Sequence, residues 1–277
     1  MKESKKVLFI SSEICPYLPE TDISLVGRHL PQGTQEKGNE IRVFMPRYGC
    51  INERRNQLHE VIRLSGMNIV INEYDRPLII KVSSISAARM QIYFIDNEDY
   101  FQRKQIFEDV DGKFFEDNDE RTSFFARGVL ETVKKLRWKP DIIHCQGWIS
   151  HLIPIYLKKA YKDDPLFSDA KVVLSLYNEY IDETFSETMK EKILMPRVKA
   201  KDIEVVEKPD VINLAKLAVQ YSDGVIYGKE PACPELDKYI AEQDIKVLPF
   251  TKIDYPENTF IDKYNEFYDQ ILNSDAN

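Results

Sequence analysis

The chain has 277 residues, 38 basic against 46 acidic side chains, a net charge of −8, and only ten glycines. That glycine share is roughly half the usual one, and neither G-x-G-x-x-G nor G-x-x-x-x-G-K-[ST] occurs, which speaks against a glycine-signposted dinucleotide or P-loop site. The acidic balance argues against a broad nucleic-acid footprint, and no apolar run reaches the ~18 residues that span a membrane. The run Val7-Leu8-Phe9-Ile10 is too short for a signal-peptide core and reads as a buried strand, so the expectation is a cytoplasmic protein. The cysteines (Cys15, Cys50, Cys145, Cys233) are far apart, which predicts reduced thiols and no structural metal.

Strand and helix patterns alternate along most of the chain. Residues 6–12 read as a parallel strand covered on both faces, 22–37 contain a helix stopped by Gly38-Asn39, and 41–45 form the next strand. Strand, helix, glycine, strand is a βαβ unit. Residues 58–71, 78–85 and 90–95 are strand-like with no helix between them, either a β-rich insertion or antiparallel strands at a sheet edge. Residues 108–120 form an acidic loop. Residues 121–137 follow as an amphipathic helix with Phe125, Val129, Val133 and Leu136 on one face and Asp119 or Asn118 as its cap. Residues 141–145 are a buried strand, 148–162 helical despite Pro154, and Lys171–Leu176 another strand; 178–208 are charged and irregular. Helices at 211–221 and 234–242 alternate with strands at Gly224–Tyr227 and 245–248, and 259–272 form a terminal amphipathic helix. The order predicts an α/β Rossmann-like three-layer sandwich with a mostly parallel sheet, as a single domain over 1–277 on which the last helix packs back.

In open parallel sheets ligands bind at the carboxyl ends of the strands. That rule nominates Ser11-Ser12-Glu13, Gln146-Gly147-Trp148 and Tyr177-Asn178-Glu179. These clusters carry donors, acceptors and aromatic faces suited to a sugar or polyol, and no nucleophile with a neighbouring base. Glu13 and Glu179 would make a carboxylate pair, but no spacing brings them together. His144 lies inside an apolar strand, where a hydrogen-bonded core histidine is the expectation. Trp148 fits sugar stacking and core packing equally, and Asp117-Asn118 fits helix capping.

At these same residues the chain resembles the bacterial glycogen and starch synthases, retaining glucosyltransferases of GT-B architecture that extend α-1,4-glucan from a nucleotide sugar. Ser12-Glu13-Ile14-Cys15-Pro16 is similar to the family's S-E-x-x-P, with Leu30-Pro31 at the distance of the family's L-P. Pro46-Arg47-Tyr48, Tyr93-Phe94-Ile95-Asp96, Asp117-Asn118-Asp119-Glu120-Arg121 and Trp138-Lys139-Pro140-Asp141-Ile142-Ile143-His144 look like further family motifs, and 213–223 resemble the helix and Y-A-D that close the family's N-terminal half. The resemblance covers about 1–230. It implies an N-terminal GT-B half whose sugar-facing cleft is lined by Glu13, Asp117, Asn118, Gln146, Trp148, Tyr177 and Asn178.

The departures fall on the chemistry. Counting from S-E-x-x-P, the family's donor-embracing K-T-G-G places its lysine on Pro19 and its glycines on Thr21 and Asp22. Proline carries no charge and no backbone donor, and Asp22 repels a diphosphate. Gln146 and Tyr177 stand where the family has histidines. Too few residues follow Tyr227 for a second Rossmann-like half, which in the family carries most nucleotide contacts. The resemblance therefore implies a degenerate, pseudoenzyme-like domain without confident catalytic residues, cofactor or metal, which binds α-glucan or a protein partner. Two other readings stay open: a synthase half completed by a partner chain or oligomer and using ADP- or UDP-glucose, and a purely structural or regulatory interaction protein.

Overall fold

The computed structural model describes residues 4–254 and 257–276. The first βαβ unit runs through β1 (Lys6–Ser11), α1 (Asp22–Glu36) and β2 (Glu40–Pro46). All but the first residue of β1 are buried. Each such Val, Leu, Ile or Phe contributes about 1.5–3 kcal/mol of burial. Two short strands, β3 (His59–Glu60) and β4 (Met67–Ile71), precede the long β5 (Tyr74–Ile85) and β6 (Met90–Asp96). The strand-like 58–71 thus divides in two, and β5 starts before residue 78. A four-residue helix that the sequence pattern does not signal, α2 (Glu98–Phe101), is capped by Asn97, whose side chain accepts from the Asp99 and Tyr100 amides.

Helix α3 (Asn118–Leu136) begins three residues before the expected start, and neither Asn118 nor Asp119 caps it: Asp117 occupies the N-cap without a side-chain cap bond. The reason is tertiary. The Asn118 amide donates to the Phe107 carbonyl and accepts from Arg121, so the first turn is fastened to the loop before it. Then come β7 (Ile142–Gln146), a 3-10 turn at Trp148–Ser150, α4 (Ile153–Ile155) and a π turn at Tyr156–Ala160, so 148–162 is helical in three unlike pieces. Strand β8 (Lys171–Leu176) leads into an irregular stretch holding α5 (Met189–Ile193). Helix α6 (Val211–Gln220), β9 (Gly224–Tyr227), α7 (Pro234–Ala241), β10 (Lys246–Leu248) and α8 (Phe260–Leu272) complete the order.

The sheet order is β10-β9-β8-β7-β1-β2-β6-β5-β3, with β4 paired to β5 alone. From β10 to β6 neighbouring strands are parallel, and the 58–85 strands are antiparallel at one edge. Strand order reverses between β1 and β7, which makes their carboxyl ends the switch point of the sheet. Helices α1 and α8 pack together and α8 lies on β8 and β10. Beneath α8, His144 of β7 accepts or donates at both nitrogens, to Tyr268 Oη at 2.7 Å and Ser175 Oγ at 2.6 Å, which is the core histidine expected. Lys5 pairs with Asp269 at 2.5 Å, and Ser4, Lys6, Lys139 and Asn273 line one groove at the amino end of the sheet. No helix among the described residues is long and apolar enough to cross a membrane.

Candidate functional site

The switch point is built by close approach of two strand ends. The Ser12 amide donates to the Gln146 carbonyl at 3.0 Å, extending the β1–β7 pairing one residue past β1. Gly147 follows with φ +82°, and a Cβ there would lie 2.2 Å from Ser12 Oγ, so only glycine lets the two turns touch. Ser11 Oγ donates to the Glu13 carbonyl at 2.7 Å and fixes the turn that presents Glu13.

The amino end of α1 faces the same place and is closed by its own residues. Thr21 accepts from the Ser24 amide at 3.0 Å, and Ser24 Oγ accepts from the Thr21 amide at 2.8 Å, a reciprocal capping box. Ser24 Oγ also donates to the Pro19 carbonyl, and Thr21 Oγ1 donates to Glu13 Oε2 at 2.7 Å. Asp22 adds a carboxylate to the first turn. All three residues at the expected donor-loop positions therefore hold the helix start in place.

Glu179, just past β8, comes to this group across the sheet. Its carboxyl is pushed up to about 8, by burial first and then by the Glu13 and Asp22 charges, against the opposing pull of Lys229. The Glu13 carboxyl is also raised by burial, against the pull of the Thr21 hydroxyl. Sheet order thus makes the carboxylate pair that no sequence spacing could. Lys229 stands 3.5 Å from Asp22. Asn178 donates to the Glu230 carbonyl at 2.8 Å and ties the turn after β8 to the turn after β9. Tyr177 lies under Gly228, where a Cβ would fall 2.4 Å from the ring.

Polar groups without a hydrogen-bond partner among the described residues gather here: Ser12 Oγ, both Gln146 amide atoms, Trp148 Nε1, both His151 ring nitrogens, and the Tyr48 and Tyr177 hydroxyls. Gln146 and Tyr48 are wholly buried. Most buried polar groups in proteins are paired, so such a concentration marks a place prepared for other contacts.

Of the residues the sequence nominates, Glu13, Gln146, Tyr177 and Asn178 converge at the strand ends. Trp148 does not offer a stacking face: it is 3% exposed and packed among Phe107, Phe114, Phe185 and Tyr180. Asn118 is spent on the Phe107 and Arg121 bonds. Asp117 holds the Arg103 guanidinium through both its oxygens, at 2.7 and 2.5 Å, and so raises its pKa. Tyr48, His151 and Lys229 were not nominated. The carboxyl-end rule reaches Tyr48 when applied to β2 and Lys229 when applied to β9.

A mostly parallel sheet with helices on its faces, whose strand ends at the switch point carry carboxyl groups, an amide and tyrosines, defines an α/β Rossmann-like half of GT-B type. The catalytic domain of starch synthase IV from Arabidopsis thaliana, solved bound to ADP and acarbose, matches this fold with a TM-score of 0.71 at 17% identity over 90% of this chain and 52% of its own. The family model for the starch synthase catalytic domain matches residues 6–230. Glycogen synthases from Chlorobium luteolum and Chlorobaculum tepidum are 35% and 36% identical over 84% and 79% of this chain, and over 49% and 44% of their own lengths. The chain belongs to the glycogen/starch synthase family. It spans about half the length of the curated relatives it matches.

Proposed function

We propose that this chain is a glycan-binding domain of α-1,4-glucan metabolism that does not by itself transfer glucose from ADP- or UDP-glucose. One observation carries the reading: the amino end of α1, the natural seat for a phosphate, is capped by Thr21 and Ser24 and carries the carboxyl groups of Glu13 and Asp22. A helix amino end contributes only about 0.3–1 kcal/mol to an anion. One like charge about 4 Å away near a protein surface opposes it by about 4 kcal/mol. Repulsion therefore wins, and a nucleoside diphosphate is disfavoured where the family's loop would hold it. A neutral sugar meets no such penalty, and the unpartnered amide and hydroxyls at the strand ends suit its hydroxyl groups.

Two measurements test this. Transfer of labelled glucose from ADP-glucose or UDP-glucose to glycogen by the purified chain is expected to match a heat-inactivated control, and turnover at an ordinary enzymatic rate would refute the first clause. Migration in a native gel containing glycogen is expected to be retarded. Unchanged migration would remove the glycan and leave the protein-partner reading.

A further inference from the structure

At the amino end of the sheet, away from the strand ends that carry Glu13 and Gln146, a cavity of about 330 Å³ opens between the last turn of α1 and the starts of β2 and β6. Small-ligand pockets in proteins begin at about this size. Its walls include Gln35, Glu40, Arg42, Arg89 and Gln91. Glu40 and Arg42 share one face of β2. The parallel β2–β6 pairing sets Gln91 beside Arg42 and Arg89 beside Glu40, one and three residues before the Val43–Ile92 pair.

Two buried polar atoms of this wall have no hydrogen-bond partner among the described residues, one a donor and one an acceptor. They are Arg42 Nε and Gln35 Oε1. The Arg42 side chain is held in place: its guanidinium lies 5.4 Å from the Trp138 ring centre, and its Nη1 donates to the Ile41 carbonyl at 2.9 Å. Its Nη2 stands 3.8 Å from Glu40 Oε1, beyond hydrogen-bond reach. The Nε–Nη2 edge, the fork that grips an oxyanion with two parallel bonds, is therefore open. Arg89 is exposed and makes no ion pair among the described residues.

The groups that would oppose an anion here are already answered. Glu40 accepts from the Trp138 indole and lies 3.7 Å from Lys6. The carbonyls that end α1 disfavour negative charge, but the Gly38 amide takes that of Gln35, the Asn39 side chain that of Thr34, and the Ser4 hydroxyl that of Gly38. A carboxylate would fill the Arg42 fork and leave no oxygen for Arg89, whereas a phosphate has oxygens for both guanidinium groups. The Gln35 oxygen only accepts, so it calls for a hydroxyl. We propose that this cavity binds the phosphate monoester of a small hydroxylated molecule, with the phosphate between Arg42 and Arg89 and a hydroxyl on Gln35 Oε1. The site is separate from the strand-end cleft and does not rest on the glycan reading.

The test is calorimetric titration of the full chain at pH 7.5 and low salt with glycerol 3-phosphate, methyl phosphate, acetate and glycerol. Glycerol 3-phosphate is expected to bind about tenfold more tightly than acetate and about threefold more tightly than methyl phosphate, with glycerol silent. R89Q alters an exposed side chain, so it should keep the wild-type circular dichroism spectrum while both esters bind about fivefold more weakly. Q35L should abolish the preference for glycerol 3-phosphate over methyl phosphate and leave the methyl phosphate affinity unchanged. Silence from both esters overturns the proposal, and so does acetate binding as tightly as methyl phosphate. Wild-type affinity in R89Q overturns it as well, since the anion then binds elsewhere. A preference that survives in Q35L overturns the assignment of the hydroxyl.

Discussion

His144 and His151 lie seven residues apart, and burial pushes both imidazoles down to about 3. Their surroundings are opposite. His144, under α8, bonds at both ring nitrogens to Tyr268 and Ser175, and its ring packs with Phe9, Tyr264 and Tyr268. His151, under the strand ends, has no hydrogen-bond partner at either nitrogen among the described residues. The same side chain at the same burial is thus satisfied beneath α8 and unsatisfied in the turn that follows β7. An unpaired buried polar group destabilises by about 1–3 kcal/mol, so the turn after β7 gives up stability that the α8 side keeps.

The comparison breaks most visibly by substitution at each histidine. H144L leaves the Tyr268 hydroxyl and Ser175 without their shared partner, and should lower unfolding stability by about 3–5 kcal/mol in urea titrations at pH 7.5. H151L loses no bond, removes an unpaired buried group and should match wild type or exceed it by up to about 1–3 kcal/mol. Equal losses at the two sites would abolish the distinction.

Acid sharpens the same contrast. Both imidazoles are neutral in the fold but take a proton in the unfolded chain below its ordinary 6.5. Their stabilising share is complete above that pH and falls as pH drops toward 3, at about 1.4 kcal/mol per pH unit for each. H151L should therefore recover about 2 kcal/mol relative to wild type between pH 7.5 and 5. A constant difference across that window would show that His151 is already protonated or solvated in the fold.

Glu179 gives the smallest effect and the opposite sign. Its carboxyl is held up at about 8 from an ordinary 4.5, so the stability linked to its neutral form is full at low pH and is lost as pH rises from 4.5 to 8. Allowing for its partial exposure, E179Q should be more stable than wild type by about 1–2 kcal/mol at pH 8.5 and indistinguishable near pH 4.5. Thermal melts at the two pH values read this directly, and a gap that widens toward acid would contradict the assigned environment.

The scaffold was far more legible in the sequence than the site. β1, β2, β7, β8 and β9 are short apolar runs because each is covered on both sides, and such runs announce themselves. Most helix starts were legible too, but not that of α3, because its beginning is set by Asn118 reaching the distant Phe107 carbonyl and not by local capping. The strand-end rule found Glu13, Gln146, Tyr177 and Asn178. It could not show that Glu13 and Glu179 act on one another, which follows because β7 alone separates β1 from β8 in the sheet. Nor could it see that Trp148 turns inward, since the rings that enclose it come from Phe107, Phe114, Tyr180 and Phe185, two segments remote in sequence from β7 and from each other. At Pro19, Thr21 and Asp22 the sequence showed only departures from the family pattern, whereas the capping box and the Thr21–Glu13 bond needed coordinates.

The groove shared by Ser4 and Asn273 has a practical corollary. Both lie at the amino end of the sheet, where Lys5 meets Asp269, whereas Glu13, Gln146 and Glu179 follow the carboxyl ends of their strands. A tether attached beside either residue leaves from the side opposite the cleft. Immobilised through such a tether, the domain would present the carboxyl ends of its strands outward, and a bridge between the two positions would let new chain ends be opened elsewhere.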